Sequence, residues 1–196
     1  MQRSAVVLLV ATGIFFAAYS VLRPYSSEIG LAAADAFASP LWVAAHVSAM
    51  IGFVALALAV RSLGASAGAE VAIWVGAGLV LPYYGAETFA LNVLGSQAQN
   101  SGDYSLMELA EPIRYGPTQT VMFGAGLLAI AVGAIVLARG LGTWQAWVFA
   151  AGFVVFLPQF FAPPWVRIAH GLLILVGAVA LAASTYRQEM STTTGA

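Results

Sequence analysis

His46, Glu87 and His170 are the side chains of this sequence whose types could do chemistry and whose surroundings make them costly to keep. They are the chain's two histidines and the one carboxylate in the middle of an apolar run. An ionisable group in hydrocarbon costs about 3 kcal/mol or more unless it is paired or hydrated, so by default it marks a functional site. Two imidazoles and a carboxylate are a sufficient ligand set for a single divalent metal such as zinc, with one position left open to water. Without a metal, the same groups could hold and shuttle protons for a bound molecule in a low-dielectric site. No H-E-x-x-H signature accompanies them.

A different chemistry is open to the histidines alone. Two imidazoles on separate helices can be the axial ligands of one haem b, here His46 and His170, in an electron-transfer protein. Ala45, Ala49, Gly52, Ala169 and Gly171 are small enough to admit the macrocycle, and Arg167 and Arg114 could meet its propionates. One haem near one face would not carry electrons across a membrane, and Glu87 would have no part in it. Arg167 and His170, one helical turn apart in "PPWVRIAHG", resemble small b-type cytochromes in general outline. The third reading is a non-catalytic accessory subunit whose polar trio only locks helix packing.

Other groups fall near the trio. Tyr83 and Tyr84 precede Glu87 by four and three residues and so flank its face of a helix. Pro82 removes a backbone donor there and is expected to kink the helix and open space. Trp42 lies one turn above His46, Gln159 belongs to the same level, and Arg167 is placed to meet Glu87 or an anionic ligand group. The expected site has Glu87, His46 and His170 as catalytic or metal-binding groups. Arg167 joins the histidines toward a cofactor, and Tyr83, Tyr84, Gln159, Trp42 and Arg167 face a substrate. A polar floor under Phe160, Phe161 and Trp165 suits an amphiphilic or planar ligand, so the leading expectation is binding or transformation of a lipid-like small molecule. The same aromatics also suit anchoring at a membrane surface, and Arg167 suits snorkelling to the headgroups.

The elements that must position these residues are set by composition. Of 196 residues 61% are hydrophobic and 8% charged, and mean hydropathy is +0.91. A soluble domain carries roughly a quarter charged residues, so hydrocarbon must be the solvent for most of this surface. The fold class expected is all-α: a polytopic bundle of six transmembrane helices in one domain. The spans run over about 5–22, 41–60, 71–94, 117–138, 143–162 and 164–185, with a polar tail at 186–196. The fifth is the weakest, because Pro158 and Gln159 interrupt it. It should pair with the sixth as an antiparallel hairpin. The first is read as a retained helix, being longer than a signal-peptide core.

On this topology Arg3, Arg61, Arg139 and Arg187 share one side, opposite Arg23, Arg114, Arg167 and the acidic loops. Both termini are therefore expected in the cytoplasm of a multi-pass cell-membrane protein. His46, His170 and Glu87 then lie roughly 8, 9 and 11 Å below the outer face, at 1.5 Å per residue. Between spans three and four, within the 95–116 loop, "DYSLMELAEPIRYGP" places Leu106, Leu109, Ala110 and Ile113 at helical spacing. The expectation is a short amphipathic helix on the outer surface, ending near Glu111 before Pro112. A net charge of −1 gives nucleic acid no purchase, and the absence of cysteine excludes disulfides and thiolate chemistry. Arginine without lysine, amid abundant alanine and glycine, points to a GC-rich bacterial source.

Overall fold

The computed structural model describes residues 2–194, which are all-α and contain no strand. Five helices are long and apolar enough to cross a membrane: Arg3–Leu22, Pro40–Ser62, Ala67–Ser101, Pro117–Leu141 and Pro164–Ser191. They mark the chain as a membrane protein. Two hydroxyls of the first helix, α1 (Gln2–Leu22), are hidden in its own backbone: Thr12 donates to the Leu8 carbonyl and Ser20 to that of Ala17.

A short helix α2 (Gly30–Ala38) leads into α3 (Pro40–Ser62), where Ser39 caps the Leu41 N–H and Pro40 occupies the first turn. α4 (Ala67–Gly85) continues through one π-helical turn, Ala86–Ala90, into α5 (Leu91–Ser101). Together they form one helix of 35 residues. Its length is roughly 52 Å, against a hydrocarbon core of about 30 Å. One end must therefore stand clear of the apolar layer, and α5 is the end with polar side chains. It stops at Gly102, whose positive φ of 71° lets the chain turn out of the helix.

A 3₁₀ turn (Tyr104–Leu109) and α6 (Ala110–Tyr115) connect to α7 (Pro117–Leu141). α8 (Trp144–Val154), a second 3₁₀ turn (Pro158–Phe161) and α9 (Pro164–Thr194) follow. The long helices close a ring: α1 packs on α3 and α9, α3 on α4, α4 on α7, α7 on α8, and α8 on α9. Small residues permit the closest of these contacts. A methyl group added to Gly76 would meet the Gly126 carbonyl at 2.6 Å, so α4 and α7 touch backbone to backbone.

At the end where α1, α5 and α8 finish, a cap covers the ring. α2 lies on α5, with Asn92 donating to the Phe37 carbonyl at 2.9 Å and Gln99 to Asp35 at 2.8 Å. Phe37, Trp42, Leu91 and Met107 form its own small core.

Three expectations change. The 143–162 segment is not one long helix: α8 has 11 residues, and the helix fails before Pro158, which cannot supply an N–H to continue it. α8 still runs antiparallel to α9, Gly152 lying beside Ile174 and Gly177 against Phe149. The loop after α5 is a 3₁₀ turn followed by α6, and the helix passes through Pro112 instead of stopping before it. Pro112 falls in the first turn of α6, where a missing N–H leaves no bond unmade. Leu109 is exposed, so the expected apolar stripe is broken where the winding changes. The polar residues 186–194 continue α9 as helix; residues 195 and 196 of the expected tail lie outside the described residues.

Candidate functional site

The site is built around the π turn. The Leu91 N–H reaches back to the Ala86 carbonyl, one residue further than in an α-helix, a few residues after Pro82 has interrupted the bonding ladder. The extra residue turns Glu87 and Thr88 inward together, and both are buried. Trp42 of α3 donates its indole N–H to the Glu87 carbonyl at 2.6 Å, and the Thr88 hydroxyl takes the Tyr84 carbonyl at 2.6 Å. The distortion is thus held from both sides.

The Glu87 side chain has two different faces. Oε1 accepts from Arg114 Nε at 2.7 Å. Oε2 is buried, has no hydrogen-bond donor, and stands 3.6 Å from His46 Nε2. That separation exceeds a hydrogen bond. The His46 Nδ1 lies 2.7 Å from the Trp42 carbonyl. A carbonyl can only accept, so Nδ1 carries a proton and Nε2 is the ring nitrogen turned toward Glu87. Tyr19, Trp42 and Tyr84 enclose the imidazole, with ring centroids 5.5, 4.3 and 6.0 Å away.

Arg114 ties this pair to the cap. Its Nη1 also donates to Glu28, whose other oxygen takes Arg23 Nη2 at 2.7 Å. A chain of charges therefore runs from the end of α1 through the 23–29 link and α6 to the π turn. Burial works to raise the Glu28 carboxyl, but Arg114, Arg23 and Arg167 outweigh it and hold it below the ordinary carboxylate range. Burial opposes the Arg114 charge too, and Glu87 and Glu28 more than restore it.

These groups line a cavity of about 760 Å³. Its polar wall holds His46, Glu87, Arg114, Arg23, Glu28 and the hydroxyls of Tyr19, Tyr83 and Tyr84. Its other wall is apolar: Phe123, Leu157, Phe160 and Phe161, with Phe161 88% exposed at the mouth. Arg167 also borders it, stacked 5.3 Å over Tyr25 and 5.3 Å over Phe160 and bonded to Gln159 Oε1 at 3.3 Å. Among the described residues no carboxylate lies within ion-pair distance of Arg167, unlike Arg23 and Arg114.

Of the expected residues, Glu87, His46, Tyr83, Tyr84 and Arg167 share this cavity, Trp42 braces it from behind, and Gln159 orients Arg167. His170 does not join. Its Nε2 bonds to the Gly152 carbonyl at 2.8 Å and its ring meets the edge of Phe156 at 5.0 Å. With Gln159 it lines a separate cleft of about 420 Å³ between residues 155–162 and α9. The expected three-ligand metal centre is therefore not assembled. Among the described residues no group of three or more His, Asp or Glu side chains could hold a metal ion, and Arg114 on Glu87 would repel one.

A haem fits no better. The His46 nitrogens address Trp42 and Glu87, and His170 gives its Nε2 to a carbonyl. Tyr19 against His46 and Phe156 against His170 fill the space a macrocycle would need.

Sequence reasoning did not find Arg114 as the partner of Glu87, or Glu28 as the second carboxylate on Arg114. Their signal was present only as charges at the edges of apolar runs, in "RPYSSE" and "EPIRYG". The chain matches no protein-family model, no curated protein and no solved structure, so its function is argued from the site itself.

Proposed function

We propose that this chain is a six-crossing membrane protein that binds a lipid-like amphiphile in the outer half of the bilayer and exchanges a proton with it through Glu87 and His46. One observation carries the reading. The Glu87 and His46 side chains, 3.6 Å apart, line the same large cavity, whose opposite wall is aromatic and open to the exterior. Glu87 is pinned by Arg114 and His46 by Trp42, so the two are fixed before any ligand arrives. The sixth crossing is α8 completed by residues 155–161, which returns the chain to the end where α9 begins. Both termini then lie in the cytoplasm.

The test uses protein purified in mild detergent. Solvent extraction and mass spectrometry are expected to find a bound amphiphile in the native chain. The same extract from Gly124→Trp should be depleted: Gly124 borders the cavity, and a side chain there enters open space. The affinity for the rebound amphiphile should depend on pH in the native chain and lose that dependence in Glu87→Gln. Equal amphiphile content in the native and Gly124→Trp proteins would count against the cavity as the site.

A second reading rests on the two carboxylates bonded to Arg114. In it the charges only lock the cap onto the ring, as in an accessory subunit. It expects Arg114→Met to lower the melting temperature in a protein that carries no amphiphile.

A further inference from the structure

We infer that the amphiphile carries an oxyanion at its polar end, a carboxylate or a phosphate ester, and that Arg167 is the residue that selects it. The inference rests on the amphiphile-binding reading above and names the chemical class of the ligand. Three guanidiniums, Arg23, Arg114 and Arg167, border the cavity beside two carboxylates, Glu28 and Glu87. Arg23 and Arg114 hold both carboxylates between them. Among the described residues no carboxylate is within ion-pair distance of Arg167, so the cavity keeps one positive charge in excess. A second proton on His46 would only enlarge that excess.

An arginine near a membrane surface ordinarily extends its flexible stem toward headgroups and water. Arg167 is held instead. Its Nε donates to Gln159 Oε1 at 3.3 Å, and Gln159 is itself buried. Its guanidinium carbon stands 5.3 Å from the ring centres of both Tyr25 and Phe160. Each ring is fixed in turn: the Tyr25 hydroxyl donates to the Ser20 carbonyl at 2.9 Å, and Phe160 meets Phe123 edge to face at 5.4 Å. These contacts leave the two Nη nitrogens. Neither is bonded to a protein acceptor, and neither is shut away from open space. Their N–H groups, on a planar and permanently charged head, match the paired oxygens of a carboxylate or a phosphate. Because the cation is already positioned, the ligand does not have to order it. Phe123, Leu157 and Phe161 continue the apolar wall from Phe160, so the chain of the same molecule lies along them while its charged end meets Arg167. An oxyanion can also take a proton, as the exchange with Glu87 and His46 requires.

Native mass spectrometry of delipidated protein in maltoside micelles tests this at mildly alkaline pH. The probes are single-chain amphiphiles of equal chain length, offered in equimolar pairs: palmitate, hexadecyl phosphate, methyl palmitate and hexadecyltrimethylammonium. At least one of the two anions should bind about tenfold or more tightly than the ester or the ammonium, the scale of one charge-assisted contact. The tighter anion identifies the polar end as carboxylate or phosphate. Arg167→Gln should weaken both anions and bring the anion-to-ester ratio close to one. Arg167→Lys should keep part of that ratio, because the charge remains and the fork is lost. Gly124→Trp should weaken all four probes. Acetate and inorganic phosphate, which have no chain, should fail to displace the anionic amphiphiles at equal concentration.

Equal affinity for the four probes, all blocked by Gly124→Trp, would overturn the oxyanion assignment and leave the amphiphile cavity standing. So would a preference for the ammonium. An anion preference that survives Arg167→Gln, with all probes weakened in parallel, would show that Arg167 only supports the fold and would overturn its selecting role. Displacement by acetate or inorganic phosphate alone would overturn the amphiphilic nature of the ligand. Binding of no probe, or of all regardless of Gly124→Trp, would overturn both readings.

Discussion

Arg114 holds two carboxylates at once, and one of them, Glu87, is almost completely buried. Removing one partner of a buried pair leaves a charge that nothing satisfies, a loss of about 3–5 kcal/mol, whereas removing both partners costs much less. Arg114→Met is therefore expected to lower the melting temperature sharply, and the double variant with Glu87→Gln to recover a large part, a coupling that a thermal double-mutant cycle reads directly. Glu28 adds a pH dependence whose sign follows from its partners. Its carboxyl is held below the unfolded value of about 4.3 by Arg114 and Arg23, against the pull of burial. Its contribution is full above that value and is lost as pH falls through the lower folded one. Hydrogen-exchange protection factors in residues 23–39 should thus fall from roughly pH 4 downward, and Glu28→Gln should abolish that acid-dependent loss. At this scale the sequence showed which residues were expensive, because His46 and Glu87 are polar groups in apolar runs. It could not show where they point. Depth follows from counting residues, but azimuth depends on the winding. One π turn rotates everything after it, and nothing in "GAETFALN" announces an i to i+5 bond. His170 has the right depth and faces the Gly152 carbonyl instead.

At the scale of elements, the contact between α4 and α7 depends on glycine on both helices. A methyl group at Gly126 would meet Val80 at 2.6 Å and the Gly76 carbonyl at 2.9 Å, and backbone cannot move aside cheaply. Gly124 lies two residues away on the same helix and a methyl group there meets nothing. Gly126→Leu is accordingly expected to cost about 1–3 kcal/mol or more as overpacking. Gly124→Ala should be neutral or slightly stabilising through helix propensity. Thermal unfolding of the two variants in one detergent compares them directly, and equal losses would mean that α4 and α7 are not in backbone contact. The long helices were legible because an apolar run of about 20 residues has few alternatives in hydrocarbon. α1, α3, α7 and the start of α9 lie close to the boundaries that composition sets. The fifth run misled because residues 155–162 are as apolar as a helix, although Pro158 and the 3₁₀ turn after it prevent one. Apolar composition measures what a segment can be dissolved in, not how its backbone is wound. The cap was hidden for the opposite reason. Its core is made of few residues, Phe37, Trp42, Leu91 and Met107, drawn from four separate segments.

For the whole molecule, the question is whether α8 and the irregular segment after it amount to a crossing. An 11-residue helix spans roughly 16 Å, about half the apolar layer, so by length alone it could dip in and return. Its contacts argue otherwise. α8 packs antiparallel on α9, from Phe149 beside Gly177 to the Gly152 carbonyl on His170, and residues 158–161 then reach the cavity at the capped end. Non-helical backbone at that depth is tolerated where protein covers it, and Gln159 is buried there. The chain has no cysteine, so single introduced thiols report sidedness without background. With six crossings, a membrane-impermeant maleimide added to intact cells should label Ser105→Cys in the 3₁₀ turn. It should reach Ser66→Cys, at the start of α4, and Arg187→Cys, near the end of α9, only after permeabilisation. If α8 failed to cross, Arg187→Cys would be labelled from the same side as Ser105→Cys. Arg167 would then be carried to the face opposite Glu87, and the cavity that both residues line could not exist in the bilayer.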